Sequence, residues 1–244
     1  AVDASGQQFA LKRIRATSAE DPDLLQQFRR EAQISSVLHH PNIVGLYEHG
    51  SDAAGPYLLL EYVEGTTAAA LVRSAAVRHE QLPVEVVISI ARDVAAALRY
   101  AHSLRHETCP DGVIHRDISP DNVLITKTGV SKLSDFGIAK VIGGTVLTRS
   151  GNLKGKLGYL AAELLSGEEA DPLTDIYAFG VTLFRLLTGV MPYSGRNEGE
   201  IFNAILSGQP AELRLLRADV PPVLLDFVTR AIGRARFARP TLEE

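Results

Sequence analysis

The chain has 244 residues, 45% of them hydrophobic, enough to bury one large or two moderate cores. Its net charge of −4 arises from acids and bases mixed along the sequence, which excludes the basic footprint of a nucleic-acid binder and the charged patch of a membrane-surface protein. One cysteine, Cys109, excludes an internal disulfide framework and fits a reducing, cytoplasmic compartment, and no apolar run reaches the roughly 20 residues that a bilayer span requires.

Residues 7–15, "QQFALKRIR", alternate well enough to predict a strand. Asp21-Pro22 then reads as a helix N-cap followed by proline in the first turn. Leu24, Leu25, Phe28, Ala32, Ser35 and Leu38 recur at helical spacing, predicting a helix over 22–38 that Pro41 ends. Two strands are expected at 43–50 and 56–63, joined by the turn-rich "SDAAG".

Beyond Gly65 the character changes. Val84, Val87, Ile88, Ala91, Val94, Ala95 and Leu98 form a stripe that predicts a long helix over 84–104. Residues 123–134 read as a hairpin with Gly129 in its turn. The Gly- and Thr-rich stretch 138–172 predicts a long irregular segment of the kind that usually carries function. Helical patterns return at 173–188, stopped by Gly189, and at 198–207 and 222–232. A strand-rich first quarter and a helix-rich remainder, meeting near 62–66, predict an α+β chain of two lobes.

Between two apolar segments, "VIHRDISPDNVLI" (113–125) sets Asp117 and Asn122 five residues apart on a loop. Around it stand "FALK" (9–12), Glu31 on the first helix, "DFG" (135–137) and "AAE" (161–163). With 19 residues from Lys12 to Glu31 and 18 from Asp117 to Asp135, the set resembles the catalytic domain of the eukaryotic-type (Hanks-type) protein kinase superfamily, in a bacterial Ser/Thr form. The resemblance covers essentially the whole chain. It implies a two-lobed kinase fold, with a small β-rich N-lobe over 1–63 and a larger helical C-lobe over 64–244. It also implies transfer of the γ-phosphate of ATP to Ser/Thr hydroxyls of a protein substrate, autophosphorylation included, with Mg²⁺ (or Mn²⁺) as cofactor. No nucleic-acid or membrane partner is expected of this stretch.

Each role carried over has a physical need behind it. Phosphoryl transfer moves negative charge, so catalysis is mostly positioning plus cations. The resemblance gives Lys12 the α/β-phosphates, with Glu31 holding its ammonium. It gives Asn122 and Asp135 the metal, a hard cation that prefers oxygen ligands. Asp117 would accept the hydrogen bond of the attacking hydroxyl and take its proton late. Ala10 and Leu124 would sandwich adenine, Leu60 would close the back of the pocket, and the backbone of Glu61 and Val63 would supply hinge hydrogen bonds. His115 is read as structural, packed under Phe136. Asp175 would bond to the catalytic-loop backbone, and Arg239 would pair with Glu163. Arg116 would meet a phosphate on the long loop, carried by Thr145, Thr148 or Ser150.

Three departures from the family pattern stand out. No Gly-rich loop precedes Lys12, so the sequence reads as a fragment whose first strands are missing and whose nucleotide affinity is low. Ser119 stands where such kinases carry a lysine that touches the γ-phosphate, and Lys156 stands where they carry a threonine. The two changes read either as reciprocal, with Lys156 supplying the cation beside Asp117 and Ser119 the hydroxyl, or as a site that has lost a cation, with Lys156 a solvated lysine of the long loop. The alternative to an active kinase is a nucleotide-binding pseudokinase serving as an interaction module. The intact Lys12, Glu31, Asp117, Asn122 and Asp135 favour the enzyme.

Overall fold

The computed structural model describes residues 1–2, 5–14, 21–136 and 156–244. The first part is a three-stranded antiparallel sheet in the order β1 (Phe9–Arg13), β3 (Gly55–Glu61), β2 (Leu46–Asp52). Helix α1 (Pro22–Ser35) begins as its sequence demands. The Asp21 carboxylate accepts the backbone N–H of Asp23 and Leu24, and Pro22 fills the first turn. Phe28 and Ala32 of α1 bury against Leu58 of β3, with Ile14, Leu46 and Leu60 at the margin, and so fasten the helix to the sheet.

Two local expectations are corrected here. Helix α1 stops at Ser35 rather than 38, because Leu38 leaves its stripe and joins the larger core below. The β2–β3 hairpin is tighter than the five-residue turn predicted: Asp52 pairs with Gly55, and the Asp52 carboxylate accepts the Ala54 N–H. Gly55 takes φ 102, which a side chain would oppose. Strand β2 also starts late, since Ile43 bridges to Leu133 and the Val44 N–H donates to the Leu133 carbonyl. Residues 43–45 thereby tie the first sheet to the second part of the chain.

That second part opens with a short strand and a helix absent from the expected elements, β4 (Gly65–Thr67) and α2 (Ala68–Val77). Strand β4 pairs with β5 (Val123–Thr126), which pairs with β6 (Ser131–Leu133). Gly65 permits this, since a Cβ there would lie 1.9 Å from the Ile125 carbonyl oxygen. Gly129, at φ 85, turns β5 into β6 as expected. The long helix α3 (Val84–Ser103) buries the predicted Val87, Val94 and Leu98.

After the short α4 (Ala162–Leu165) comes α5 (Pro172–Thr188), which runs through the centre with buried residues on all sides and ends at Gly189, φ 80. Helices α6 (Glu198–Ser207), α7 (Leu213–Leu216) and α8 (Pro222–Ala231) surround it. One continuous apolar core joins α3, α5, β5 and β6. The result is an α+β fold with a sheet-bearing first lobe and a helical second lobe. Residues 137–155, including Thr145, Thr148 and Ser150, lie outside the described residues; the rest of the predicted irregular stretch holds a 3₁₀ turn, Leu157–Tyr159, and α4. Among the described residues no helix is long and apolar enough to cross a membrane.

Candidate active site

The loop between α3 and β5 is held from beneath. Asp175, in the first turn of α5 and 1% exposed, accepts the backbone N–H of His115 at 2.7 Å and of Arg116 at 2.9 Å. Its Oδ2 also meets His102 Nε2 of α3 at 2.8 Å. His115 is fully enclosed, its Nδ1 accepting the Asp117 N–H and its Nε2 lying 3.0 Å from the Ser134 carbonyl, which fixes Nε2 as the protonated nitrogen. Its ring packs on Phe136 with centroids 4.5 Å apart. Burial pushes the His115 pKa down, so the ring is neutral and serves as a structural post under the loop.

Arg116 and Asp135 flank this post with φ of 66° and 54°, the left-handed region that residues with side chains rarely adopt. These strained positions turn the two carboxylate-bearing segments toward a common cleft. On one, the Asn122 Nδ2 donates to the Asp117 carbonyl at 2.7 Å and to Asp117 Oδ2 at 3.1 Å. With its NH₂ committed, the amide presents its oxygen as the remaining acceptor. The Lys156 ammonium reaches Asp117 Oδ2 at 2.5 Å. Ser119 is 1% exposed, and its Oγ has no hydrogen-bond partner among the described residues. The cation half of the reciprocal exchange is therefore in contact with Asp117, whereas the Ser119 hydroxyl does not reach it.

Across the cleft, the Lys12 ammonium lies 2.5 Å from Glu31 Oε1 and 2.5 Å from Asp135 Oδ1. Strand β1, helix α1 and the end of β6 thus converge on one nitrogen. Burial works against the Lys12 charge, but Asp135 and Glu31 outweigh it and raise the pKa. The cleft has a volume of about 360 Å³, and its walls include Ala10, Lys12, Glu31, Leu60, Glu61, Leu124 and Asp135. Val63, half-buried in the connection after β3, is not part of its wall. Ile43, Val44, Asp121 and Leu133 line it without having been singled out in the sequence. Their apolar members read there as ordinary core, and only the β6 bridge to residue 43 reveals them.

Lower down, Arg239 and Glu163 form the expected pair, doubly bonded at 2.5 and 2.9 Å. Arg239 also donates to the Leu173 carbonyl, so the "AAE" segment, α5 and the chain's end are tied together.

The family profile described as "Protein kinase domain" matches residues 1–244. The chain is 38% identical over 224 residues to the Tyrosine-protein kinase MasK of Myxococcus xanthus, covering 91% of this chain and 35% of that protein. It is 33% identical over 232 residues to the Serine/threonine-protein kinase PrkC of Bacillus subtilis, covering 95% of this chain and 34% of that one. To the Serine/threonine-protein kinase PknB of Mycolicibacterium smegmatis it is 33% identical over 233 residues, with shares of 92% and 35%. The chain spans about a third of the length of these curated relatives. Fold, cleft and matched span agree, and the chain belongs to the protein kinase domain family.

Proposed function

We propose that this domain transfers the γ-phosphate of ATP to Ser or Thr hydroxyls of protein substrates, its own parent chain among them. The observation that carries the reading is the double contact of Lys12, which bridges Glu31 and Asp135 across the cleft between the lobes. A lysine so placed is pre-positioned as a phosphate clamp, and Asp135 stands within reach of the same phosphates. The names of PrkC and PknB support Ser/Thr acceptors. The catalytic loop does not choose between acceptors, since it lacks the Ala and Arg pattern of tyrosine kinases and, with Ser119, also the Ser/Thr-type lysine.

Within this reading the adenine ring lies between Ala10 and Leu124, Leu60 closes the pocket behind it, and the backbone of Glu61 and Val63 supplies the hinge. Asp135 and the Asn122 amide oxygen would hold Mg²⁺, or Mn²⁺ in its place. Mg²⁺ is a hard cation that takes carboxylate, amide and phosphate oxygens, which is the donor set these two residues and the substrate would offer. Bound there, the ion supplies charge neutralisation between the phosphates. Asp117 orients the attacking hydroxyl and accepts its proton.

Regulation would run through Arg116. Its guanidinium is half-buried near that of Arg30, and burial together with this like charge lowers its pKa. A phosphate on Thr145, Thr148 or Ser150 would relieve the repulsion by binding between the two cations. The domain would work in the cytoplasm, where ATP is supplied.

The test is incubation of the full-length parent with radiolabelled ATP and Mg²⁺, beside an Asp117→Asn control. Label on Ser or Thr in the parent and none in the control is expected. A parent that binds ATP but incorporates no label would instead be a pseudokinase, and label on Tyr alone would overturn the acceptor class.

A further inference from the structure

We infer that the cation which neutralises the transferring phosphate is carried by Lys156, downstream of the DFG segment, and not by the catalytic loop. This rests on the kinase reading above and deepens it. At residue 119 the catalytic loop carries a serine, which is 1% exposed and brings no charge to the site. Lys12 is already committed to Glu31 and Asp135. A phosphoryl group passing between Asp117 and Asp135 would meet two carboxylates, and its transition state needs a second positive charge near Asp117.

Lys156 meets that need. Its Nζ lies 2.5 Å from Asp117 Oδ2, and its side chain is 36% exposed against 19% for Asp117, so it stands at the solvent-facing rim of the site. An ammonium carries three donors. One goes to Asp117, and the others have no partner among the described residues, leaving donors for phosphate oxygens.

The placement is also built rather than incidental. Lys156 directly precedes the 3₁₀ turn Leu157–Tyr159, which is buried throughout. Tyr159 accepts a hydrogen bond from Arg185 of α5 at 2.7 Å, and Gly158 packs so closely that a Cβ there would fall 2.4 Å from Met191 Cε. A solvated surface lysine has no such footing. Among the described residues, the cation beside Asp117 is thus carried by a turn that is seated on α5, which couples the chemistry to the seating of that segment.

The full-length parent provides the test. Lys156→Ala should lower kcat by about 10²–10³-fold, the usual loss for one electrostatic stabiliser of a transition state, with KM for ATP changed only a few-fold. Added ethylamine should restore part of the loss by lending a small ammonium to the vacated place. Adding Ser119→Lys to Lys156→Thr should raise kcat at least tenfold above Lys156→Thr alone, because paired sites are non-additive. A merely structural lysine would respond to neither rescue. Lys156→Ala within twofold of the parent, or a loss that neither rescue recovers, overturns the inference while the kinase reading stands. An inactive parent overturns both.

Discussion

Removing the Arg239 guanidinium isolates the energetic weight of the buried pair beneath the active site. The Arg239 side chain is 0% exposed and that of Glu163 is 5%, so neither group is screened by water. Arg239→Ala deletes two hydrogen bonds to Glu163, one to the Leu173 carbonyl and the stacking of the guanidinium over Tyr177 at 5.2 Å. It also leaves a carboxylate in the interior without its counter-charge. Breaking such a pair from one side costs about 3–5 kcal/mol. In a domain of this size each kcal/mol moves the melting temperature by about 2–4 °C, so a drop of about 6–20 °C is expected. Thermal unfolding followed by far-UV circular dichroism, without nucleotide, measures it. The companion change Glu163→Leu with Arg239→Met should lie within about 2 kcal/mol of the parent, because replacing the whole pair by apolar groups removes the desolvation cost along with the attraction. A single variant destabilised by less than about 1 kcal/mol, or a double variant as damaged as the single, refutes the reasoning.

Two further tests address the scaffold. Gly65→Ala would force a methyl to within 1.9 Å of the Ile125 carbonyl unless β4 moves off β5, a loss of about 1–3 kcal/mol by backbone shift, and an unchanged melting temperature would show that β4 is not held there. His115 sets a pH dependence. Burial holds its native pKa below the ordinary 6.5, so as pH falls through 6.5 the unfolded chain binds a proton that the native fold refuses. Stability from this group is therefore complete above about 6.5 and declines as pH drops toward the native pKa. His115→Phe should shrink the difference in melting temperature between about pH 7.5 and 5.5, and an undiminished difference would assign the acid sensitivity to other groups.

The sequence was legible where one signal acted alone. Asp21-Pro22 announced α1, Gly189 closed α5, and Gly129 turned β5 into β6, because caps and turns depend on a few neighbouring residues. The Lys12–Glu31 and Glu163–Arg239 contacts were legible through register within a family, not through local chemistry. What escaped had no local signature. Strand β4 exists because Gly65 lets a distant strand approach, and α2 is an alanine-rich run whose burial depends on partners far along the chain. Residue 43 became part of the cleft wall only through its bridge to Leu133. For Ser119 the chemistry of the side chain was visible but its direction was not: a hydroxyl beside a carboxylate invites a hydrogen bond, yet the 3₁₀ turn that follows buries it instead.

The anchoring of the loop by Asp175 bears on how such a site can change over evolutionary time. Its two bonds to backbone N–H groups fasten the main chain from beneath, using an N–H that every residue except proline possesses. Neither bond draws on the side chain of residue 119. The charge carried at residue 119 and the anchoring of the main chain before it are thus set by separate contacts.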